Sequence, residues 1–208
     1  MPRPVLVGVL ALQGDFARHE SAWRRAGAEA RPVRSALDLA GIDALSMPGG
    51  ESSTMLRLLD VTGLRSALDA FVRTQPVFAT CAGAILLARH VDRLPAPPLG
   101  AMDVDVARNA YGRQVDSFEA DLSAPVLGKD ATVRGVFIRA PRFTRLGEGV
   151  EILARRGDEA VGVREGNRVA LAFHPELTDD VRLFRWFLDA VVAAPRTSTK
   201  EATAGGRA

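Results

Sequence analysis

Cys81 is the only cysteine in the 208-residue chain. It follows the apolar run Val77-Phe78-Ala79 and precedes Ala82-Gly83 and then Ile85-Leu86-Leu87. That pattern predicts a strand running into a helix through a sharp turn. Small neighbours would let the backbone turn tightly and present the thiol, as in a nucleophile elbow. The start of a helix favours a thiolate over a thiol, and the amide of Ala82 would be aimed at a developing oxyanion. The same residue is also consistent with a small buried hydrophobe, the commoner fate of a lone cysteine.

Two further motifs could complete the chemistry. The run Val169-Ala170-Leu171-Ala172-Phe173 ends abruptly at His174, and Glu176 comes two residues later. In extended chain, residues i and i+2 point the same way, so Glu176 could orient and polarise an imidazole that serves Cys81. A structural histidine closing a strand fits the pattern equally well. The loop Gly49-Gly50-Glu51-Ser52-Ser53-Thr54 lacks the lysine of a phosphate-binding loop and puts a carboxylate where phosphate would lie. It is better suited to supply the Gly50 amide as a second oxyanion donor and Glu51 as a partner for an ammonium group, unless it is an ordinary glycine turn. The three histidines (His19, His90 and His174) and one cysteine have no metal-ligand spacing, so neither a metal nor another cofactor is expected.

Something must bring these three motifs together, and the first half of the chain alternates strand and helix patterns. Strands are predicted at Val5 to Leu12, Ala30 to Arg34, Ile42 to Met47 and Pro76 to Thr80. Helices are predicted at Asp15 to Gly27, with Asp15 as cap and Gly27 as stop, and at Ser52 to Asp60, Leu64 to Thr74 and Gly83 to His90. After Leu94-Pro95-Ala96-Pro97-Pro98 come short β-rich segments: Ala101 to Ala107, Ser117 to Leu122, Thr132 to Ile138, Val150 to Ala154, Ala160 to Glu165 and Arg168 to Phe173. A helix over Asp180 to Val192 closes the pattern, with Leu183, Phe184, Phe187 and Leu188 facing inward. The expected fold class is α/β, a mostly parallel central sheet with helices on both faces and antiparallel additions. In such a sheet, sites form outside the carboxyl ends of the strands, where all three motifs fall. One domain over residues 1–194 and a disordered tail over 195–208, which has no large apolar residue, complete the expected organisation.

Composition excludes several other classes. With 47% hydrophobic and 25% charged residues the chain has an ordinary globular composition. No apolar run approaches the ~20 residues of a spanning helix. A single cysteine allows no internal disulfide, so a reducing cytoplasm suits the chain. The net charge is +2, and the pI of about 9.2 arises because 25 of the 27 basic residues are arginines. These are scattered among acids over the whole length, which argues against a nucleic-acid-binding face.

Taken in order, Pro48-Gly49-Gly50-Glu51-Ser52, Thr80-Cys81-Ala82-Gly83 and His174-Pro175-Glu176 resemble the class I (triad) glutamine amidotransferases. Within them the chain is similar to the flavodoxin-like glutaminase subunits of pyridoxal 5'-phosphate synthase. That closer match rests on Leu12-Gln13-Gly14, Arg108-Asn109, the segment from Gly112 to Leu122, Gly135 to Pro141, and Phe173 to Thr178. It covers roughly residues 5 to 192. Ala110-Tyr111, where a Ser-Phe type pair is usual, and the proline-rich loop before it are mild departures that do not touch the triad.

The resemblance implies hydrolysis of L-glutamine by Cys81 as nucleophile, His174 as proton shuttle and Glu176 as its support, with an oxyanion met at Gly50 and Ala82. It carries glutamine binding onto Gly50, Glu51, Ser52, Arg108, Ile138 and Arg139. It also implies a synthase subunit that accepts the ammonia and makes pyridoxal 5'-phosphate from ribose 5-phosphate and glyceraldehyde 3-phosphate, in complexes of twelve synthase and twelve glutaminase subunits. Docking would complete the glutaminase site, with exposed residues of the first helix and the Gln13 loop as candidate contacts. Alternatives are a triad glutaminase serving another synthase, a related cysteine hydrolase, or a non-catalytic interaction subunit on the same scaffold.

Overall fold

The computed structural model describes residues 3–110 and 117–193. The tail expected to be disordered, and Tyr111 to Asp116 of the segment that carries the closer resemblance, lie outside the described residues.

Strand β1 (Leu6–Leu10) is almost continuously apolar because both of its faces are covered. Helix α1 (Phe16–Ala26) returns the chain to β2 (Glu29–Val33), and β3 (Ala44–Met47) follows. Gly27 ends α1 in the left-handed region (φ 101), where a side chain would be strained. Asp15 stands at the cap position but makes no capping hydrogen bond with its side chain, which corrects one expectation. Helices α2 (Ser52–Val61) and α3 (Arg65–Thr74) lead to β4 (Val77–Thr80) and the short α4 (Ala82–Leu87).

That last helix ends three residues earlier than expected. Ala88 turns extended, and β5 (Ala88–Val91) pairs in parallel with β6 (Met102–Ala107). The remaining strands are β7 (Phe118–Ser123), β8 (Thr132–Phe137), β9 (Arg142–Leu146), β10 (Glu151–Arg156), β11 (Glu159–Glu165) and β12 (Arg168–Leu171). Helix α5 (Arg182–Phe187) runs on as a wider turn through Leu188–Val192. Leu183, Phe184, Phe187 and Leu188 are all buried there.

The nine-stranded main sheet has the order β2-β1-β3-β4-β12-β11-β10-β7-β8. Its first five strands are parallel, and β11, β10, β7 and β8 extend it by antiparallel pairing. The β-rich segments do not all join this sheet, however. β5, β6 and β9 form a separate three-stranded one, and β9 carries no sequence signal beyond Phe143 and Leu146 among charged neighbours. Among the described residues, no helix is long and apolar enough to cross a membrane.

The core between α1, α5 and the sheet is aromatic. Trp23 is fully buried and meets Phe78, Phe184 and Phe187 at ring-centroid distances of 5.2, 4.8 and 5.6 Å. Its indole nitrogen has no hydrogen-bond partner among the described residues. Trp23→Ala should therefore lower the unfolding free energy by about 4 kcal/mol in urea titration, a loss of packing. Trp23→Phe should cost less than about 1.5 kcal/mol, because no hydrogen bond is lost. Equal losses in the two variants would contradict this view of the core.

Candidate active site

Register brings the three motifs to one level. β3, β4 and β12 are adjacent and parallel, with Met47 beside Ala79 and Leu171 beside Thr80. Pro48-Gly49-Gly50, Cys81 and the Ala172-Phe173-His174 segment thus leave the sheet side by side at its carboxyl edge, where an open parallel sheet forms sites. Backbone hydrogen bonds pin them there. Cys81 N donates to Leu171 O (2.8 Å), Gly83 N to Pro48 O (3.1 Å) and His174 N to Val136 O (2.8 Å).

Cys81 has φ 47 and ψ −105 and is 5% exposed. A non-glycine residue held in this region stores strain, and the turn it makes is the one expected of an elbow. The turn also requires Gly83. A Cβ there would lie 2.2 Å from the Met47 carbonyl oxygen, so only glycine lets α4 start this close to β3. Ala82 is fully buried in the first turn of α4. Sγ of Cys81 lies 3.9 Å from the Ile138 carbonyl oxygen.

His174 and Glu176 are joined by a 2.7 Å hydrogen bond from Nδ1 to Oε1. Burial works against a charged imidazole at His174, yet hydrogen bonds with Cys81 and Glu176 outweigh it and push the pKa up from 6.5 to about 10. Burial likewise opposes the Glu176 carboxylate, but His19 and His174 hold it well below the usual carboxylate range.

The His174 proton has a consequence for stability. Between pH 6.5 and about 10 the folded chain keeps a proton that the unfolded chain releases. Its stabilising effect is complete below the unfolded pKa and fades as pH rises toward the folded one. The difference in denaturation midpoint between wild type and His174→Gln should shrink steadily across that window. A difference independent of pH would contradict the raised pKa.

A cleft of about 340 Å³ opens over this group. Gly50, Glu51, Ser52, Cys81, Arg108, Ile138, Arg139, His174 and Glu176 line it, together with residues such as Gly14, Asn109 and Leu177 to which the motifs assign no role. Ala82 is fully buried and is not among the lining residues. Gly50 has φ 152, and a Cβ on it would meet the Gln13 side chain at 2.6 Å. Gln13 Oε1 in turn accepts the Glu51 N–H at 2.8 Å, so this residue braces the glycine loop from below.

The Glu51 carboxylate caps α2, accepting from Ser53 N (3.2 Å) and Thr54 N (2.6 Å), and pairs with Arg108 Nη2 at 3.1 Å. Burial raises its pKa, but hydrogen bonds from the side chains and amides of Thr54 and Ser53 outweigh that and hold it below the ordinary value. Arg108 is steadied by the Arg93 carbonyl at 3.0 Å. Ser52 is buried in the first turn of α2. Arg139 (φ 46) and Asn109 (φ 50) are both held in the left-handed region at the rim.

Sequence reasoning misses His19. It is fully buried, and its Nε2 lies 3.2 Å from Oε1 of Glu176. The available signal is its place between Phe16 and Trp23 on the inward face of α1, which a core histidine would share.

Residues 9–193 match the model of the SNO glutamine amidotransferase family. A pyridoxal 5'-phosphate synthase subunit PdxT from Thermus thermophilus is 54% identical over 187 residues, covering 88% of this chain and 96% of that protein. PdxT of Pelotomaculum thermopropionicum is 51% identical over 189 residues, covering 90% and 96%. A crystal structure described as a glutamine amidotransferase superposes with a TM-score of 0.83 at 50% identity, covering 89% of this chain and 98% of that one. PurLQS from Thermotoga maritima shares the fold, with a TM-score of 0.66 at 15% identity. With matches of this extent, the chain belongs to the SNO glutamine amidotransferase family.

Proposed function

We propose that the chain is the glutaminase subunit of a pyridoxal 5'-phosphate synthase, hydrolysing L-glutamine to L-glutamate and ammonia for vitamin B6 biosynthesis. The observation that carries this reading is the convergence of an elbow cysteine, a histidine and its buried carboxylate partner at one sheet edge. Relatives at about half identity bear the name of that subunit.

In this reading Sγ of Cys81, its proton already transferred to His174, attacks the side-chain carboxamide carbon of glutamine as a thiolate. The resulting oxyanion is met by the backbone at Gly50 and Ala82, a kind of contact worth about 3 kcal/mol per donor. His174 gives its proton to the leaving nitrogen, ammonia departs, and a glutamyl thioester remains on Cys81. Water then attacks the thioester, His174 takes one of its protons, the Cys81 thiolate departs, and glutamate leaves after its carboxyl proton passes to ammonia or solvent. Glu176 keeps the imidazole oriented throughout.

Glu51 and Arg108 already form an ion pair beside the cleft. The amino-acid head group is itself a zwitterion, so its ammonium fits Glu51 and its carboxylate fits Arg108 and Arg139. Ser52 and Ile138 complete the glutamine site.

Free ammonia is protonated in water and loses its nucleophilicity, so a glutaminase of this kind needs a receiver. We assign that role to a synthase subunit acting on ribose 5-phosphate and glyceraldehyde 3-phosphate, in an assembly of twelve synthase and twelve glutaminase subunits in the cytoplasm. The glutaminase domain spans residues 1–194.

The test combines this chain with the synthase subunit, both sugar phosphates and glutamine. Glutamate release should rise on adding the synthase, and pyridoxal 5'-phosphate should accumulate. Glutamine hydrolysis with neither stimulation nor product would point instead to a glutaminase that serves a different synthase.

A further inference from the structure

His19 sits where the three motif-bearing segments meet. From α1 it reaches Ser46 in β3, Thr80 in β4 and Glu176 beyond β12, which are two, one and two residues from Pro48, Cys81 and His174. Its Nδ1 lies 2.9 Å from Ser46 Oγ, and its Nε2 lies 3.2 Å from both Thr80 Oγ1 and Glu176 Oε1. An ionised carboxylate only accepts hydrogen bonds, so the nitrogen facing Glu176 carries a proton. The Ser46 hydroxyl can then donate to Nδ1, which fixes that tautomer.

Glu176 has little else to hold it. Oε1 bonds His174 and lies 3.2 Å from Nε2 of His19, while Oε2 is buried without a hydrogen-bond partner among the described residues. The carboxylate that orients the proposed proton shuttle is therefore located through one oxygen by two imidazoles. Only one of these belongs to the triad.

We propose that His19 is a positioning residue: its Nε2–H anchors Oε1 of Glu176 and so fixes the His174 ring against Cys81. A purely structural histidine would need only Ser46 and Thr80. The 3.2 Å contact with the one carboxylate beside His174 ties it to the reaction. This inference rests on the glutaminase reading above, and its test separates the two.

Glutamine kinetics would be measured in complex with the synthase subunit, and alkylation of Cys81 by iodoacetamide in the free chain. His19→Met fills similar space without a donor, His19→Gln can place an amide N–H near the lost Nε2, and His19→Asn reaches only toward Ser46. His19→Met should lower kcat between about tenfold and a hundredfold, with KM for glutamine changed less than about twofold, because a hydrogen bond to a charged group is lost. Cys81 alkylation should slow in parallel. His19→Gln should restore most of both, and His19→Asn should not.

Wild-type kcat and alkylation in His19→Met would overturn the proposal. So would equal losses in the Gln and Asn variants, a comparison that still decides if the Met variant fails to fold. Absence of glutamate release by the wild-type complex would count against the glutaminase reading, while the alkylation series would still decide the role of His19.

Discussion

Cys81→Ala is expected to abolish glutamine hydrolysis while leaving the fold intact. Removing the nucleophile of a covalent mechanism typically costs four orders of magnitude or more, about 10⁴-fold at the least. The variant removes only a small sulfur from a 5% exposed site, so stability should change by less than about 1.5 kcal/mol. Backbone contacts that hold the elbow survive, because the Cys81 N–H to Leu171 and the Gly83 N–H to Pro48 do not involve the side chain. Both properties need measuring in the synthase complex, glutamate release by a coupled assay and unfolding by denaturant titration. Activity within tenfold of wild type would remove Cys81 from the mechanism.

Gly49→Ala should do nearly as much damage for a different reason. A Cβ at residue 49 would lie 2.3 Å from Cε1 of His174, 3.1 Å from its Nδ1 and 3.2 Å from Cβ of Cys81. No side chain fits between the two, so something must shift. The imidazole is the softest neighbour, yet it can retreat only by disturbing its 2.7 Å bond to Glu176. The added methyl thus forces a choice between the His174–Glu176 contact and the alignment with Cys81. A misplacement of about 1 Å in such a group can cost 10²-fold, so kcat should fall by about that much or more. The pKa of His174 should move down with it, since its elevation rests on Cys81 and Glu176. Titration of the imidazole by NMR alongside the kinetics would check both. A variant with normal kcat and an unmoved His174 would show that the space is larger than the geometry implies.

Much of this arrangement is readable in the sequence because strand ends announce themselves. A buried run that stops at a polar residue or a turn former, as at Met47-Pro48, Thr80-Cys81 and Phe173-His174, marks the edge of a sheet without any structure. Which edges adjoin is a different matter. Nothing local in β4 says that it lies between β3 and β12, and that order depends on long-range packing. The pair Glu51–Arg108 joins residues 57 apart, beyond the reach of periodicity.

His19 escapes for a related reason. A histidine three residues after Phe16 and four before Trp23 reads as one position of a buried helix face, and only the folded sheet brings Glu176 to it. Ala88 to His90 reads as the end of a helix because Leu86-Leu87-Ala88 continues the apolar pattern. Pairing with Met102–Ala107 overrides that local preference. Asp15 shows the opposite failure: a good capping residue in the right place whose side chain lies 3.7 Å from Arg18 instead.

The most direct measurement is peptide mass spectrometry of the synthase complex quenched with acid during glutamine turnover. A glutamyl adduct should appear on the peptide that contains Cys81, disappear as glutamine is exhausted, and be missing from Cys81→Ala. Steady glutamate release with no adduct on Cys81, or with an adduct on another residue, would contradict the thioester mechanism and the assignment of Cys81.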